Sequence, residues 1–257
     1  MSDLEFLRDE LETDSRTDLM TEPAARLSKR GEIQDMALEK ISRGLMRGAF
    51  VPGQVLSIRN LASALGTSPM PVREALKHLI ASNVLEAMAS RSARVPRLTE
   101  ADLRELNAVR ISLEGMAATA ACANATPELL ERLGALNDRL VKAIEDGDIR
   151  LCLIANQAFH FTLYGASHSR FLMPLIEALW LRCGPTLYYS LLSPDTPWDA
   201  SNHVRMLDAL RRNRPQDMRE AVERDINTTM FHVLNGARFK DLSRNIQARL
   251  HEVDIEL

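Results

Sequence analysis

The chain has 257 residues, 46% of them hydrophobic and 26% charged, and a formal net charge of −3. It is long enough for one large domain or two small ones and can bury an ordinary core. No apolar run is long enough to span a bilayer, and the acidic, polar N-terminus is not the pattern of a secretory signal peptide. The three cysteines are far apart and lie in apolar helical segments, which predicts reduced core thiols in a cytoplasmic protein.

The small net charge conceals an uneven distribution along the chain. Residues 31–98 hold nine lysines and arginines against five acidic residues, whereas residues 1–30 and 99–257 each carry an excess of acid. A basic segment in an otherwise acidic chain predicts that contact with nucleic acid is confined to that segment.

Composition and periodicity divide the chain into four parts. The N-terminal residues are polar and acidic, which predicts a flexible arm. Apolar residues then recur every four positions, from Ile33 to Leu45, and predict an amphipathic helix over residues 32–46. The predicted parts are an arm (1–30), a DNA-binding domain (31–98), a helical domain (99–236) and a charged tail (237–257).

The basic segment contains two short predicted helices joined by a tight turn. Ser57 and Ser68 stand at their N-cap positions, and a glycine between them suits the left-handed conformation that ends the first helix. Pro69 and Pro71 lie in the first turn of the second helix, where a missing amide hydrogen costs little. A helix, a short glycine-containing turn and a helix form the unit that places its second helix in the major groove of DNA.

Two strands, over residues 84–89 and 93–96, are expected to form a wing after these helices. Basic side chains on the second helix, exposed to solvent, and on the wing predict a DNA-binding surface. Their contacts with phosphate would supply affinity but little sequence information. The alternative is a plain helical hairpin with a solvated charged face. The predicted DNA-contacting residues are Arg59, Ser68, Met70, Arg73, Lys77, Arg91 and Arg94.

The segment L-A-S-A-L-G-T-S-P-M-P-V-R-E-A-L-K-H-L resembles the winged-helix signature of the GntR family of bacterial transcriptional regulators. The resemblance extends over roughly residues 33–96 and implies that Arg59 and Arg73 contact DNA. One position departs from the family pattern, because many members carry Arg where this chain has Pro69, and that Arg reads a guanine. The resemblance therefore does not imply the usual family operator.

Residues 99–236 show helical periodicity without strand-like alternation. The predicted fold class is therefore mainly α, with a winged helix-turn-helix domain followed by a bundle of about six helices. Thr99 and Asp102 resemble a capping box at the start of the bundle, and Pro185 predicts a kink or break near Cys183–Gly184. The predicted helices span about 100–122, 127–145, 148–165, 170–192, 198–212 and 215–235.

Four polar residues are predicted to converge inside this bundle. Asn156 and His160 are four positions apart on one helix and share a face, while His203 and Asp225 come from two later helices. Imidazole and carboxylate groups from several helices form a common type of metal site. The alternative is that the histidines are hydrogen-bonded core residues.

Residues 99–236 also resemble the FCD ligand-binding domain of the FadR branch of the same family. The matching segments are V-R-I-S-L-E-G-M-A-A at 109–118, A-F-H-F-T-L at 158–163 and H-V-R-M-L-D-A-L at 203–210. Many such domains bind a divalent ion through one Asp and three His. His160 and His203 match two of these ligands, with Asn156 at the Asp position and Asp225 at the third His position. The resemblance implies a site for zinc, nickel or manganese with this exchange of side chains.

The same resemblance implies that a small organic acid binds near this site as an effector. Arg110 offers a cation for it, and Tyr164 and Tyr188 are candidate lining residues. Arg110 has a second interpretation of equal weight, which is an ion pair with Glu114 one helical turn further along.

These patterns together predict an effector-responsive repressor that binds a double-stranded operator as a homodimer. A two-fold operator requires two recognition helices about one helical turn apart, which a symmetric dimer supplies. The rival hypothesis is a metal-dependent enzyme in which the four polar residues hold an ion that activates water. The sequence shows no separate general base at motif spacing, no phosphate loop and no nucleophile elbow to support that rival.

Overall fold

The computed structural model describes residues 23–88, 92–190 and 198–236. Within these ranges it contains nine helices and one three-stranded sheet, which confirms the mainly α fold class. The chain divides into two compact units between Arg97 and Leu98. None of the helices in these ranges has both the length and the apolar character that a membrane span requires.

The two units differ in content, since the strands all belong to the first. The first unit contains α1 (Pro23–Met46), β1 (Val55–Leu56), α2 (Ile58–Ala64), α3 (Pro69–Ala81), β2 (Glu86–Ala87) and β3 (Ala93–Arg94). The second unit contains α4 (Glu100–Cys122), α5 (Pro127–Glu145), α6 (Ile149–Gly165), α7 (Leu172–Ser190), α8 (Ser201–Arg211) and α9 (Pro215–Gly236).

The helices of the first unit pack around a small apolar core. α1 lies against α3, and Ala37, Ile41 and Leu45 of α1 are fully buried, as their four-residue spacing predicted. Strand β3 pairs antiparallel with both β1 and β2, so the sheet order is β1-β3-β2. Gly66 has φ +62° and ends the turn after α2 in the left-handed conformation that the sequence predicted.

The boundaries of three elements in the first unit, α1 and the two wing strands, differ from the prediction. α1 begins at Pro23 and not near Glu32, so residues 23–30 of the predicted arm are helical. The segment P-A-A-R-L-S-K-R is rich in good helix formers, and the single Gly31 costs only about 1 kcal/mol in a helix interior. The remainder of the predicted arm, residues 1–22, lies outside the described residues. The wing strands are two residues each, shorter than predicted.

The predicted cap of α3 does not form. Ser68 precedes the helix, but its side chain makes no capping hydrogen bond. Pro71 occupies the third helical position, and a proline has no amide hydrogen for a cap to accept. Ser57, in contrast, caps α2 by accepting from the Asn60 amide at 3.5 Å.

The second unit is organised around α4, which packs against α6, α7 and α9. Thr99 and Asp102 form the predicted capping box at its start. The helix does not break near Cys183–Gly184, since α7 continues through Pro185 to Ser190. The alternative of a kink at this point stays a prediction. Cys122, Cys152 and Cys183 are all buried and free. Burial raises the pKa of Cys152 and Cys183 to about 11, so both stay protonated thiols in the core.

Candidate functional site

The first candidate surface is the solvent side of α3. Met70, Arg73 and Lys77 recur at intervals of three and four residues and therefore share one side of the helix, while Val72 and Leu76 face the core. Ser68 and Met70 are exposed at the start of the helix. This side of α3 is thus available to enter a groove with its N-terminal residues leading.

Arg73 is half-buried, whereas its helix position predicted a fully exposed side chain. Its position borders the face formed by Val72 and Leu76, so part of the side chain lies against the domain. Its Nε is shielded from solvent and has no hydrogen-bond partner. Arg73 therefore lies near the helix surface, and its Nε–H remains available as a hydrogen-bond donor.

The basic side chains of this unit differ in whether an acidic partner is already present. Lys77 Nζ lies 2.9 Å from Glu74 Oε1. Arg94 donates from Nε and Nη2 to Glu86 Oε2 on the opposing strand, at 2.9 and 2.6 Å. Both pairs are exposed, and exposed pairs contribute about 0–1 kcal/mol, so phosphate can replace the carboxylates at low cost.

Arg59 and Arg73 make no ion pair within the described ranges, so their charge is not balanced by a neighbouring carboxylate. Arg59 is exposed at the start of α2. The remaining predicted contact, Arg91, lies outside the described residues.

The second candidate site is a buried polar cluster in the second unit. His160 of α6, His203 of α8 and Asp225 of α9 bring their ligand atoms within 4.8 Å of one another. His160 Nε2 lies 3.3 Å from His203 Nε2 and 3.3 Å from Asp225 Oδ2. The predicted convergence of these residues is therefore observed.

Aromatic packing holds the two imidazole rings at a right angle to each other. The Phe159 ring stacks on His203 with centroids 3.9 Å apart, and the His160 and His203 planes meet at 89°. The centroid of the Trp180 ring lies 5.6 Å from that of the His160 ring. These contacts fix the direction of each ring nitrogen without help from a ligand.

A chain of buried hydrogen bonds leads from His160 to α4. Tyr164 Oη lies 3.0 Å from His160 Nδ1 and donates to Glu114 Oε2 at 2.8 Å. Glu114 in turn accepts from Arg110 Nε at 2.7 Å and Nη2 at 3.3 Å. The ion-pair interpretation of Arg110 is thus the observed one, and its guanidinium also covers the Trp180 ring at 5.1 Å.

Protonation of the cluster follows from its burial. Burial, together with the neighbouring His160, lowers the pKa of His203 to about 3 against the opposing effect of Asp225, so His203 is neutral at pH 7. Burial alone would raise the pKa of Asp225, but the adjacent His160, together with His203 and Arg110, lowers it below its ordinary value. A neutral imidazole and a carboxylate are the forms that bind metal ions.

The donor set fits a divalent ion such as zinc. Two atoms that each lie 2.0–2.1 Å from a tetrahedral zinc are roughly 3.3–3.4 Å apart, which is the separation of both pairs that involve His160 Nε2. His203 Nδ1 is buried without a partner, so the ring is not committed to another hydrogen bond. Two imidazoles and one carboxylate leave a fourth position for an amide oxygen, water or ligand.

A small cavity opens beside the cluster, with about 40 Å³ of free space. A single water needs roughly 10–15 Å³ on the same measure, so this space suits an ion with a few small ligand atoms. The cavity has a mostly polar lining, which includes Asn156, Asn202, His203, Asp225, Thr228 and His232.

Two family models match the chain. The model for bacterial regulatory proteins of the gntR family matches residues 33–95, and the model for the FCD domain matches residues 105–228. The HTH-type transcriptional regulator McbR of Escherichia coli (strain K12) is 38% identical over 157 residues, which cover 61% of this chain and 71% of McbR. The chain belongs to the GntR family of bacterial regulatory proteins.

Other relatives agree with this placement. The probable D-xylose utilization operon transcriptional repressor of Paenarthrobacter nicotinovorans is 30% identical to this GntR protein over 202 residues, covering 77% and 86% of the two chains. The solved structure of E. coli McbR/YncC matches with a TM-score of 0.73 at 31% identity, over 79% of this chain and 99% of that one. These relatives are transcriptional regulators, so this GntR protein is a DNA-binding transcriptional regulator and the enzyme hypothesis is set aside.

The structure brings together only part of the predicted effector set of this GntR regulator. Tyr164 is fully buried behind His160, and Arg110 is paired with Glu114 away from the cavity lining. Tyr188 is half-buried on α7. Their role in effector binding stays a prediction.

Sequence reasoning missed the polar groups around the ion-sized cavity. Glu114 was considered only as a partner of Arg110, since its bond to Tyr164 joins residues 50 positions apart. Asn202 directly precedes His203 in the sequence and was available as a signal, but its neighbours Thr228 and His232 come from another helix. Only the packing of α8 on α9 brings these groups to one place.

Proposed function

We propose that this GntR regulator is a homodimeric repressor whose operator binding is controlled by a small carboxylate-bearing effector, held through a divalent ion in the second unit. The observation that carries the proposal is the convergence of His160, His203 and Asp225 beside a polar cavity, with His160 Nε2 3.3 Å from a ligand atom of each of the other two. A relative described as a transcriptional repressor supports the sign of regulation. As a regulator of promoter DNA, the protein would act in the cytoplasm.

The ion explains how an acidic effector could be held here. The cavity lining within the described residues contains Asp199 and Asp225 but no lysine or arginine. The nearby guanidinium of Arg110 is already matched by Glu114 at 2.7 Å. A carboxylate would therefore meet negative potential unless zinc, nickel or manganese supplied the positive charge. Effector binding would then bias an equilibrium between forms that differ in operator affinity.

The metal proposal is tested on the purified full-length chain. Metal-stripped protein is titrated with zinc, nickel or manganese, and operator binding is followed by fluorescence anisotropy with a panel of mono-, di- and tricarboxylates. We expect His203→Ala to abolish tight metal binding and the carboxylate response while it keeps operator binding without metal. Asn156→Asp should tighten zinc binding, because it replaces a neutral ligand by a charged one.

The matched control is Val204→Ala, which changes an exposed neighbour on the same helix and should leave metal binding unchanged. A carboxylate response that survives intact in His203→Ala would contradict the metal proposal.

We propose that Arg73 and Arg59 are the principal cationic contacts with the operator, because neither has an acidic partner in the described structure. Arg73→Ala should weaken binding to a duplex from the chain's own promoter region about tenfold or more, equivalent to about 1–3 kcal/mol. Anisotropy at a fixed salt concentration measures the loss. Arg104→Ala removes an exposed arginine of the second unit, paired with Glu100, and should have no effect. Equal affinities of Arg73→Ala and wild type would refute the contact.

A further inference from the structure

We propose that Tyr164, held by Glu114 and Arg110, is a positioning residue that keeps the proton of His160 on Nδ1 and turns a lone pair on Nε2 toward His203 and Asp225. The proposal concerns the hydrogen bonds that link His160 to Tyr164, Glu114 and Arg110. It rests on the proposed metal site only in the experiment that measures zinc affinity. The proposal assigns a role to Tyr164, Glu114 and Arg110, three buried polar residues that do not line the cavity.

The hydroxyl hydrogen of Tyr164 determines which nitrogen of His160 carries a proton. The Tyr164 hydroxyl has a single hydrogen, and Glu114 Oε2 lies 2.8 Å away as a group that can only accept. The hydroxyl hydrogen is therefore directed at Glu114. His160 Nδ1, 3.0 Å from the same oxygen, must then be the donor in that contact. A neutral imidazole has one N–H, so Nε2 is left with its lone pair.

The ion pair with Arg110 keeps Glu114 ionised, so that Glu114 can only accept hydrogen bonds. Both carboxylate oxygens take hydrogen bonds from Arg110, whose guanidinium stays protonated in proteins. The pair is almost fully shielded, with side-chain exposures of 6% and 0%, so water cannot compete for it. Burial, reinforced by Glu114, raises the pKa of Tyr164 well above its usual value, which keeps the phenol as a donor.

Nε2 of His160 lies 3.3 Å from His203 Nε2 and 3.3 Å from Asp225 Oδ2. With the imidazole proton held on Nδ1, Nε2 can only accept, so it cannot donate a hydrogen bond to the Asp225 carboxylate. The lone pair of Nε2 is then available to a cation at the cluster, and groups behind a ligand histidine commonly fix its tautomer in this way.

The first test uses the metal-free wild-type protein at pH 8. A long-range proton–nitrogen-15 correlation spectrum distinguishes the two tautomers, and the His160 signals are assigned by their loss in His160→Asn. We expect Nδ1 to be the protonated nitrogen. An Nε2–H tautomer or an imidazolium would overturn the proposal. This measurement involves no metal, so it stands apart from the success of the metal proposal.

The second test is Tyr164→Phe, which removes only the hydroxyl and keeps the buried ring. Zinc affinity, measured by competition with a chromophoric chelator, should fall about tenfold or more, and the His160 signals should show a mixture of tautomers. Tyr189→Phe removes another buried phenol hydroxyl and is expected to leave both readouts unchanged. Unaltered zinc affinity and tautomer in Tyr164→Phe would overturn the proposal. Wild-type protein that takes up no zinc yet shows the Nδ1–H tautomer would defeat the metal site alone.

Discussion

At the scale of single residues, burial decides which form of a side chain is present. His203 has 2% of its surface exposed and lies between the Phe159 ring and the His160 imidazole. A charged imidazole there would lose its hydration without a full ionic partner. The residue is therefore neutral at pH 7, and its protonation disfavours the folded state.

This preference predicts a pH dependence of the metal-free protein. Below its ordinary pKa of 6.5, His203 binds a proton in the unfolded chain, but in the folded chain only near pH 3. The unfolded state therefore binds more protons in this window, and stability falls as the pH is lowered, by up to about 1.4 kcal/mol per pH unit. Thermal unfolding between pH 7.5 and 5 measures the slope. His203→Gln should show a shallower slope, and equal slopes in the two proteins would contradict the assignment.

At the scale of elements, several helix starts follow simple local chemistry, and the start of α3 does not. The capping box of Thr99 and Asp102 and the caps at Ser57, Thr126 and Asp148 form from short-range sequence alone. Ser68 makes no cap, and Pro71 removes the amide hydrogen of the third helical position that a cap commonly uses. The exposed start of α3 is thereby left without a side-chain cap at the end that a DNA groove would receive.

The contrast between these caps is directly measurable. Thr99→Ala should lower the free energy of unfolding by about 1 kcal/mol, because it removes a cap whose oxygen accepts from Asp102 N at 3.2 Å. Ser68→Ala should change it by no more than a few tenths of a kcal/mol, because no cap bond is lost. Chemical denaturation of the two variants compares them. A similar cost at both positions would show that Ser68 does cap α3.

At the scale of the whole molecule, the outer side of α4 points to self-association. Leu106, Val109, Leu113, Met116 and Ala120 follow one another at alternating steps of three and four residues. This spacing is typical of a helix seam that packs against another helix. Val109 and Met116 are nonetheless 41% and 51% exposed in the single chain. A second copy of the chain is the occupant we propose, since a two-fold operator requires a symmetric pair.

The proposed dimer is tested by placing charge in this seam. Val109→Glu with Met116→Glu should shift the protein from dimer to monomer, because two carboxylates would be buried against their symmetry copies. Sedimentation velocity or light scattering reports the mass. Val204→Glu makes the same kind of change at a site that is 54% exposed on α8 and should leave the dimer intact. A wild-type monomer, or a variant that stays dimeric, would contradict this surface.

The sequence by itself determined the class of this protein and most of its framework. Helical spacing, caps and the basic segment at residues 31–98 are properties of neighbouring residues, so the helix-turn-helix and the six-helix bundle could be predicted. His160 and His203 were found in the same way, because their apolar flanks orient them inward.

Tertiary structure decided what these residues contact. The hydrogen bond from Tyr164 to Glu114 and the cavity beside Asp225 both join distant parts of the chain. The half-burial of Arg73 likewise depends on how α3 packs in its domain. Local sequence can state that a side chain faces the core, but its hydrogen-bond partner is chosen by which helices pack together. That choice set Tyr164 against Glu114 and His160 against His203 and Asp225, and so decided the electrostatics of the site.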